Sequence, residues 1–291
     1  MYVFYVMDVK LIYTSTARPS PTNLPKAIAF DLDETLGSFS DFYSIWARLE
    51  PHMKTQPIFN EIMDLYPEFL RVGILSILRY IRGKQETGHC LPIYIYTNNQ
   101  CEDVEWIYRL IDYLELRVRS PATLFARPIC AFKIGGKRIE PGRTTHEKTY
   151  GDFVRCSMLS TSHDLCFVDD VYYKKMKHKR VFYIQPPPYV HSVPYREVIR
   201  RFLESDIYKK LYTDRIQPTK QMRSDTHFCS ALLGMSSTTP PDYTDNVSEE
   251  QEERKITSKI MYHIREFFLV RTKKNSTKRR KPKLGNFTRR K

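Results

Sequence analysis

The chain predicts an α/β fold: a doubly wound, mostly parallel sheet carrying a small helical cap insertion. Two observations carry this. Expected strands at 27–31, 92–96, 165–169 and 181–184 are short apolar runs alternating with longer stretches of helical period, the pattern of strands joined by crossover helices. The runs are apolar almost throughout rather than alternating, as strands buried on both faces must be. A third observation concerns function. The first three strands end in Asp31, Thr97-Asn98 and Asp169-Asp170, and open α/β sheets bind ligands at the carboxyl ends of their strands.

The elements follow in order. Residues 1–25 read as a strand extension or a disordered leader. The apolar start, Met1 to Tyr13, carries Asp8 and Lys10, is too short to span a bilayer and makes a weak signal peptide. Ser20-Pro21 to Pro25 marks a turn into the first strand. Helices are expected near 40–50, 57–65 and 67–83. Segment 38–70 would form the cap, its aromatics (Phe39, Phe42, Tyr43, Trp46, Phe59 and Tyr66) packing on the core or cap. A helix at 102–116 follows the second strand, then a short strand at 123–127 and a loop rich in glycine and basic residues at 133–143. A helix at 147–157 leads to strand 165–169. Pro186-Pro187-Pro188 ends the last strand, and helices near 194–213 close a domain spanning 26–215.

Composition sets limits. Hydrophobic residues make up 41% of the 291, enough for one packed α/β domain with extensions. The six cysteines include no close pair and no Cys-x-x-Cys, so neither a zinc site nor a disulfide framework is expected. An intracellular setting, cytoplasmic or nuclear, fits, with no membrane partner.

Beyond about 216 the composition turns to Ser, Thr, Pro and Asp without apolar period, which reads as a linker to 249. Ile256, Ile260, Ile264, Phe267 and Phe268 then recur at helical spacing. They mark an amphipathic helix over 250–270, expected to dock back on the domain rather than on a partner. Residues 271–291 hold eleven Lys or Arg and no acid, leaving only +3 of the formal +14 for the rest of the chain. Such a block is a disordered basic tail. It suits a nuclear address or a sequence-independent nucleic-acid contact. Pro240-Pro241-Asp242-Tyr243, in the linker, matches the Pro-Pro-x-Tyr ligand of WW-type partners; Pro187-Pro188-Tyr189, after a strand, reads as structural.

The run Asp31-Leu-Asp33-Glu-Thr35-Leu36 resembles the first motif of the haloacid dehalogenase (HAD) superfamily, whose fold is the Rossmann-like sheet expected above. Within it the run looks like that of the RNA-polymerase-II C-terminal-domain phosphatases and the NLI-interacting-factor-like phosphatases. It is most similar to members encoded by large DNA viruses, which would put the protein in a host cell. The resemblance covers about 26–204. Thr97-Asn98 matches a second motif, Lys148 a third and Asp169-Asp170 a fourth, in the family's order. Lys133 and Lys137 compete with Lys148. Three departures are visible: Thr97-Asn98-Asn99 in place of the branch's Thr-Ala, a helical and aromatic 38–70, and Asp-Asp where some members have Asp-Asn.

The resemblance implies a phosphatase working through an aspartyl-phosphate on Asp31. Asp33 would be the general acid and base. Thr97 and Lys148 would stabilise the transferring phosphoryl group. Mg²⁺ would be held by Asp31, the Asp33 main-chain carbonyl and one of Asp169 and Asp170. Thr35, Asn98, Lys174 and Lys175 are candidate substrate contacts, the last two within a basic cluster that suits acidic phosphosubstrates. Phosphoserine or phosphothreonine in protein is the expected substrate. A nucleic-acid end phosphatase and a non-catalytic nucleic-acid or protein-binding module are the alternatives. Removing 271–291 is expected to leave hydrolysis of a small aryl phosphate unchanged, measured as initial rates. A large loss would make the tail part of the catalytic unit.

Overall fold

The computed structural model describes residues 13–14, 24–49, 54–99, 104–120, 122–190, 193–210 and 247–269. The basic tail, Pro240–Tyr243 and nearly all of the expected linker lie outside them. Its centre is a five-stranded sheet of β1 (Tyr13–Thr14), β2 (Ala27–Phe30), β3 (Tyr94–Ile95), β6 (Leu165–Val168) and β7 (Val181–Gln185). The strand order is β1-β7-β6-β2-β3. Four strands are parallel, and β1 pairs antiparallel with β7 at the edge. The strand expected at 123–127 is reduced to one parallel bridge, Ile93 to Phe125, and a second bridge, Tyr96 to Ile129, lies beyond its expected end.

Alternation along the strands sorts side chains to two faces. Ala29, Phe167 and Tyr183 stand in register, as do Phe30, Val168 and Ile184 one position on. The first set packs with Phe153 of α5 (Tyr150–Ser157) and with Met176. The second set packs with the other helices. These are α1 (Phe39–Trp46), α2 (Gln56–Leu65), α3 (Ile74–Glu86), α4 (Val104–Val118), α6 (Tyr195–Glu204), the short α7 (Asp206–Tyr208) and α8 (Val247–Phe268). Both faces are therefore covered, which is why β2 and β6 are buried at every position.

Helices α1 and α2 lie in the segment expected as a cap, and its aromatics are interior except Tyr43, which is exposed. Phe42 stacks on Trp106 of α4 at 5.5 Å, and Phe59 meets Trp106 edge-on at 5.4 Å and Trp46 at 5.0 Å. Each such pair is worth about 0.5–1.5 kcal/mol beyond its buried area. The single helix expected at 67–83 is broken. A 3₁₀ turn at Pro67–Phe69 is followed by Gly73 with φ of +82°, and α3 starts only at Ile74. The loop expected at 133–143 contains a ribbon of β4 (Lys133–Ile134) and β5 (Lys137–Arg138). Its two-residue turn, Gly135-Gly136, has positive φ at both positions, which glycine alone adopts without strain. Cys90, Cys156 and Cys166 are free thiols, but Cys130 is disulfide-bonded, against the expectation of a set without cross-links.

Helix α8 packs on the domain through Ile256, Ile260, Ile264 and Phe267, all buried in the larger core. Its sides are tied by polar contacts: Thr257 donates to the Val72 carbonyl at 2.6 Å, and the Lys26 ammonium donates to the Phe267 carbonyl. A cation at the last carbonyls of a helix also complements its dipole. Among the described residues no helix is long and apolar enough to cross a membrane. Ile264→Ala is expected to cost about 2–5 kcal/mol by leaving a cavity, and Tyr262→Ala, on the exposed face, about 0.5 kcal/mol or less. Denaturant midpoints check this, and equal small effects would detach α8 from the core.

Candidate functional site

Asp31 directly follows β2, and its N–H donates to the Val168 carbonyl at 2.9 Å. The pairing of β2 with β6 thus runs up to Asp31 and sets it beside Asp169-Asp170. From β2 the chain goes to β3 on one side and returns to β6 on the other. This reversal opens a crevice at the carboxyl ends. There, carboxylate oxygens of Asp31, Asp169 and Asp170 lie within 4.8 Å of one another. Asp31 and Asp169 are buried and Asp170 is half-buried.

Acids this close need a compensating cation, and Lys148 is one. Its position is set by the start of α5. Thr149 caps that helix by accepting from the Asp152 N–H, and its own N–H donates to the Tyr96 hydroxyl at 3.1 Å. The helix start is thereby pinned to the end of β3. The Lys148 ammonium, only 1% exposed, lies 2.6 Å from Asp31 Oδ1 and 2.7 Å from Asp169 Oδ2. The Tyr173 ring flanks it at 5.3 Å. Burial alone would lower its pKa, but Asp31 and then Asp169 outweigh burial and hold it above the ordinary value. Burial raises Asp169, against the pull of Lys148.

Oxygen atoms divide the acids by role. Asp169 spends one oxygen on Lys148 and accepts at the other from the Val171 N–H at 2.9 Å. Asp31 gives one oxygen to Lys148 and Asp170 one to the Thr35 hydroxyl, at 2.9 Å. Among the described residues no other side chain or N–H of another residue engages the second oxygen of either. A donor set of carboxylate oxygens with no sulfur or nitrogen suits a hard cation. The three acids could therefore hold a metal ion.

Asp33 points elsewhere. It accepts from the Asn99 side-chain amide at 2.7 Å and, more weakly, from Ser40 at 3.5 Å. Burial raises its pKa to about 6, opposed by the Asn99 hydrogen bond and assisted by the charge of Asp31. Thr97 is buried and its hydroxyl accepts from the Asn99 N–H at 2.9 Å.

The expected substrate contacts separate. Thr35 is 2% exposed, and its hydroxyl is exchanged with Asp170 in both directions, so it orients an acid. Asn98 is exposed, yet its amide donates to the Tyr173 hydroxyl and accepts from Arg143. Lys175 pairs with Glu147 at 2.7 Å beside the site, and Lys174 is exposed on the same 3₁₀ turn.

Two arginines escaped the sequence reading. Arg143, wholly buried, donates to the carbonyls of Thr97, Cys130 and His146 and to Asn98 Oδ1, tying the second strand end to the loop before Lys148. It sits in a basic run where only lysines were weighed, next to Gly142, whose Cβ would strike Cys156. Arg71 lies under the Asp33–Thr35 turn, and the expected helix at 67–83 concealed it. No protein-family model matches the chain, nor does any curated protein or solved structure.

Lys148→Met should destabilise the protein by about 3–5 kcal/mol, the cost of stranding buried acids. Added Mg²⁺ should raise its melting temperature more than that of the wild type, because a bound cation replaces the ammonium. Equal insensitivity of both proteins would remove the three acids as a cation site.

Proposed function

We propose that the protein is a Mg²⁺-dependent phosphatase of HAD type, acting through an aspartyl-phosphate on Asp31, with phosphoserine or phosphothreonine in protein as its substrate. The observation that carries this reading is the Asp31–Lys148–Asp169 triad beside Asp170 at the switch point of a parallel sheet. A structural ion pair would need one acid. Here one lysine pairs with two acids while a third lies beside them, and among the described residues one oxygen each of Asp31 and Asp170 remains for a cation.

Asp31 and Asp170 are the fitting ligands, with Asp169 as the anchor of Lys148. Of the two acids the sequence leaves open, this reading favours Asp170, whose second oxygen is not taken by Lys148 or the Val171 N–H. Bound Mg²⁺ would neutralise the charge of the phosphate and orient it towards Asp31. The Asp31 carboxylate attacks phosphorus, and the ester P–O bond breaks as Asp33 gives its proton to the leaving oxygen. A pKa of about 6 suits an acid that works near neutral pH. Asp33 then takes a proton from the water that attacks phosphorus, and Asp31 is released with phosphate. Lys148 supplies fixed positive charge, and Thr97, just beyond the end of β3, suits a phosphoryl oxygen. Exposed Lys174 favours acidic surroundings of the phosphate.

The rival reading, a binding module on the same scaffold, is favoured by Lys148 itself, which already offsets part of the acidic charge. Hydrolysis of para-nitrophenyl phosphate separates the two. Wild-type activity should require Mg²⁺, and Asp31→Asn should abolish it. Asp33→Asn should lower turnover about 10²–10⁴-fold with Mg²⁺ affinity retained. Asp170→Asn should weaken Mg²⁺ more than Asp169→Asn does, measured by titration calorimetry. Folded wild type that binds Mg²⁺ but hydrolyses no phosphate ester would favour the module.

A further inference from the structure

The turn after β2 holds an unusual backbone. Glu34 is not glycine, yet its φ is +59°. The left-handed region is unfavourable for such a residue and persists where surroundings over-determine it. The Glu34 carbonyl accepts from two remote donors: Arg71 Nη2 at 2.7 Å and the Tyr189 N–H at 2.7 Å. Arg71 Nε donates to the next carbonyl, Thr35, at 2.7 Å. The flanking residues of this turn are Asp33 and Thr35, the latter bonded to Asp170.

Arg71 is 1% exposed and uses four of its five N–H donors. Besides Glu34 and Thr35 it donates to the Pro187 carbonyl at 2.8 Å and to Glu253 Oε2 at 3.0 Å. Glu253 belongs to α8. Among the described residues it is the one acid paired with this buried guanidinium, and its own side chain is 21% exposed. The planar fork of an arginine leaves little freedom once its carboxylate partner is set. The Pro187-Pro188-Tyr189 stretch joins the same assembly, since the Arg71 guanidinium also lies 5.2 Å from the Tyr189 ring.

We propose that Arg71 is a positioning residue for the candidate site, holding the Asp33–Thr35 turn in its left-handed geometry, and that Glu253 on α8 sets Arg71. Docking of the C-terminal helix is thereby coupled to the site across the core. The proposal concerns backbone geometry; only its consequence for turnover rests on the phosphatase reading.

Residue-resolved hydrogen exchange on the full-length chain tests it. The Glu34 N–H donates to the Gly37 carbonyl and the Leu36 N–H to the Leu32 carbonyl, so both report on the turn. The Asp31 and Asp169 amides, bonded to Val168 and Ile184 carbonyls, report on the sheet. Glu253→Ala removes a charge-assisted hydrogen bond, so Glu34 and Leu36 should exchange about tenfold faster, with Asp31 and Asp169 unchanged. Glu253→Gln, which keeps an oxygen acceptor, should restore part of the protection. Unchanged protection at Glu34 and Leu36, or a uniform rise that includes the sheet, would overturn the proposal. If the protein is a phosphatase, kcat of Glu253→Ala falls in step with the loss of protection while KM changes little. If it is not, the exchange data decide the proposal alone.

Discussion

Three carboxylates at the ends of two neighbouring strands cannot be buried together without positive charge, and the site is organised around that constraint. Removing charge from water costs several kcal/mol per ion unless it is paired and hydrogen-bonded. Lys148 meets part of the demand, with its ammonium within 2.7 Å of both Asp31 and Asp169. The position of that one atom explains much nearby: the cap at Thr149, the Tyr96 hydroxyl that fixes it, and the Tyr173 ring on its flank. The remaining acidic charge, on oxygens of Asp31 and Asp170 that no other side chain engages among the described residues, is what gives the site room for a cation.

The second organising principle is the use of buried arginines as scaffolding for irregular backbone. Loops at strand ends cannot satisfy their carbonyls by sheet pairing, and orphaned buried carbonyls are costly. Arg143 collects three carbonyls around the second strand end, and Arg71 collects three around the first. Each presents several donors in one rigid plane, which a lysine could not do. Gly37 belongs to the same arrangement: a Cβ there would strike the Phe69 carbonyl oxygen and the Phe39 ring. The turn, the 3₁₀ segment and α1 are thus packed as one unit beneath Asp33.

Much of this was legible in the sequence because it depends on local pattern. Strands buried on both faces show as apolar runs, and the acids at their ends fall at the switch point without further information. Of the three competing lysines, Lys133, Lys137 and Lys148, it is Lys148 that is buried. What was not legible depends on contacts distant in sequence. Arg71 reaches Glu253 across 182 residues, and nothing in either local stretch marks the pair. The bond between Thr35 and Asp170 spans 135 residues and is likewise invisible in the local motif. The break at Arg71–Gly73 was hidden by the apolar period of the residues on either side. The ribbon at 133–138 is so short and charged that only Gly135-Gly136 signalled it.

The central claim is that Asp31 is a nucleophile and not merely one corner of an ion cluster. The most direct measurement is peptide mapping by mass spectrometry after rapid acid quench of the protein mixed with a phosphate ester in Mg²⁺. The account predicts one phosphoryl group, on the peptide that contains Asp31 and on that side chain, lost on brief exposure to base. Product formation with no phosphorylated peptide, or with phosphate on another residue, would contradict it.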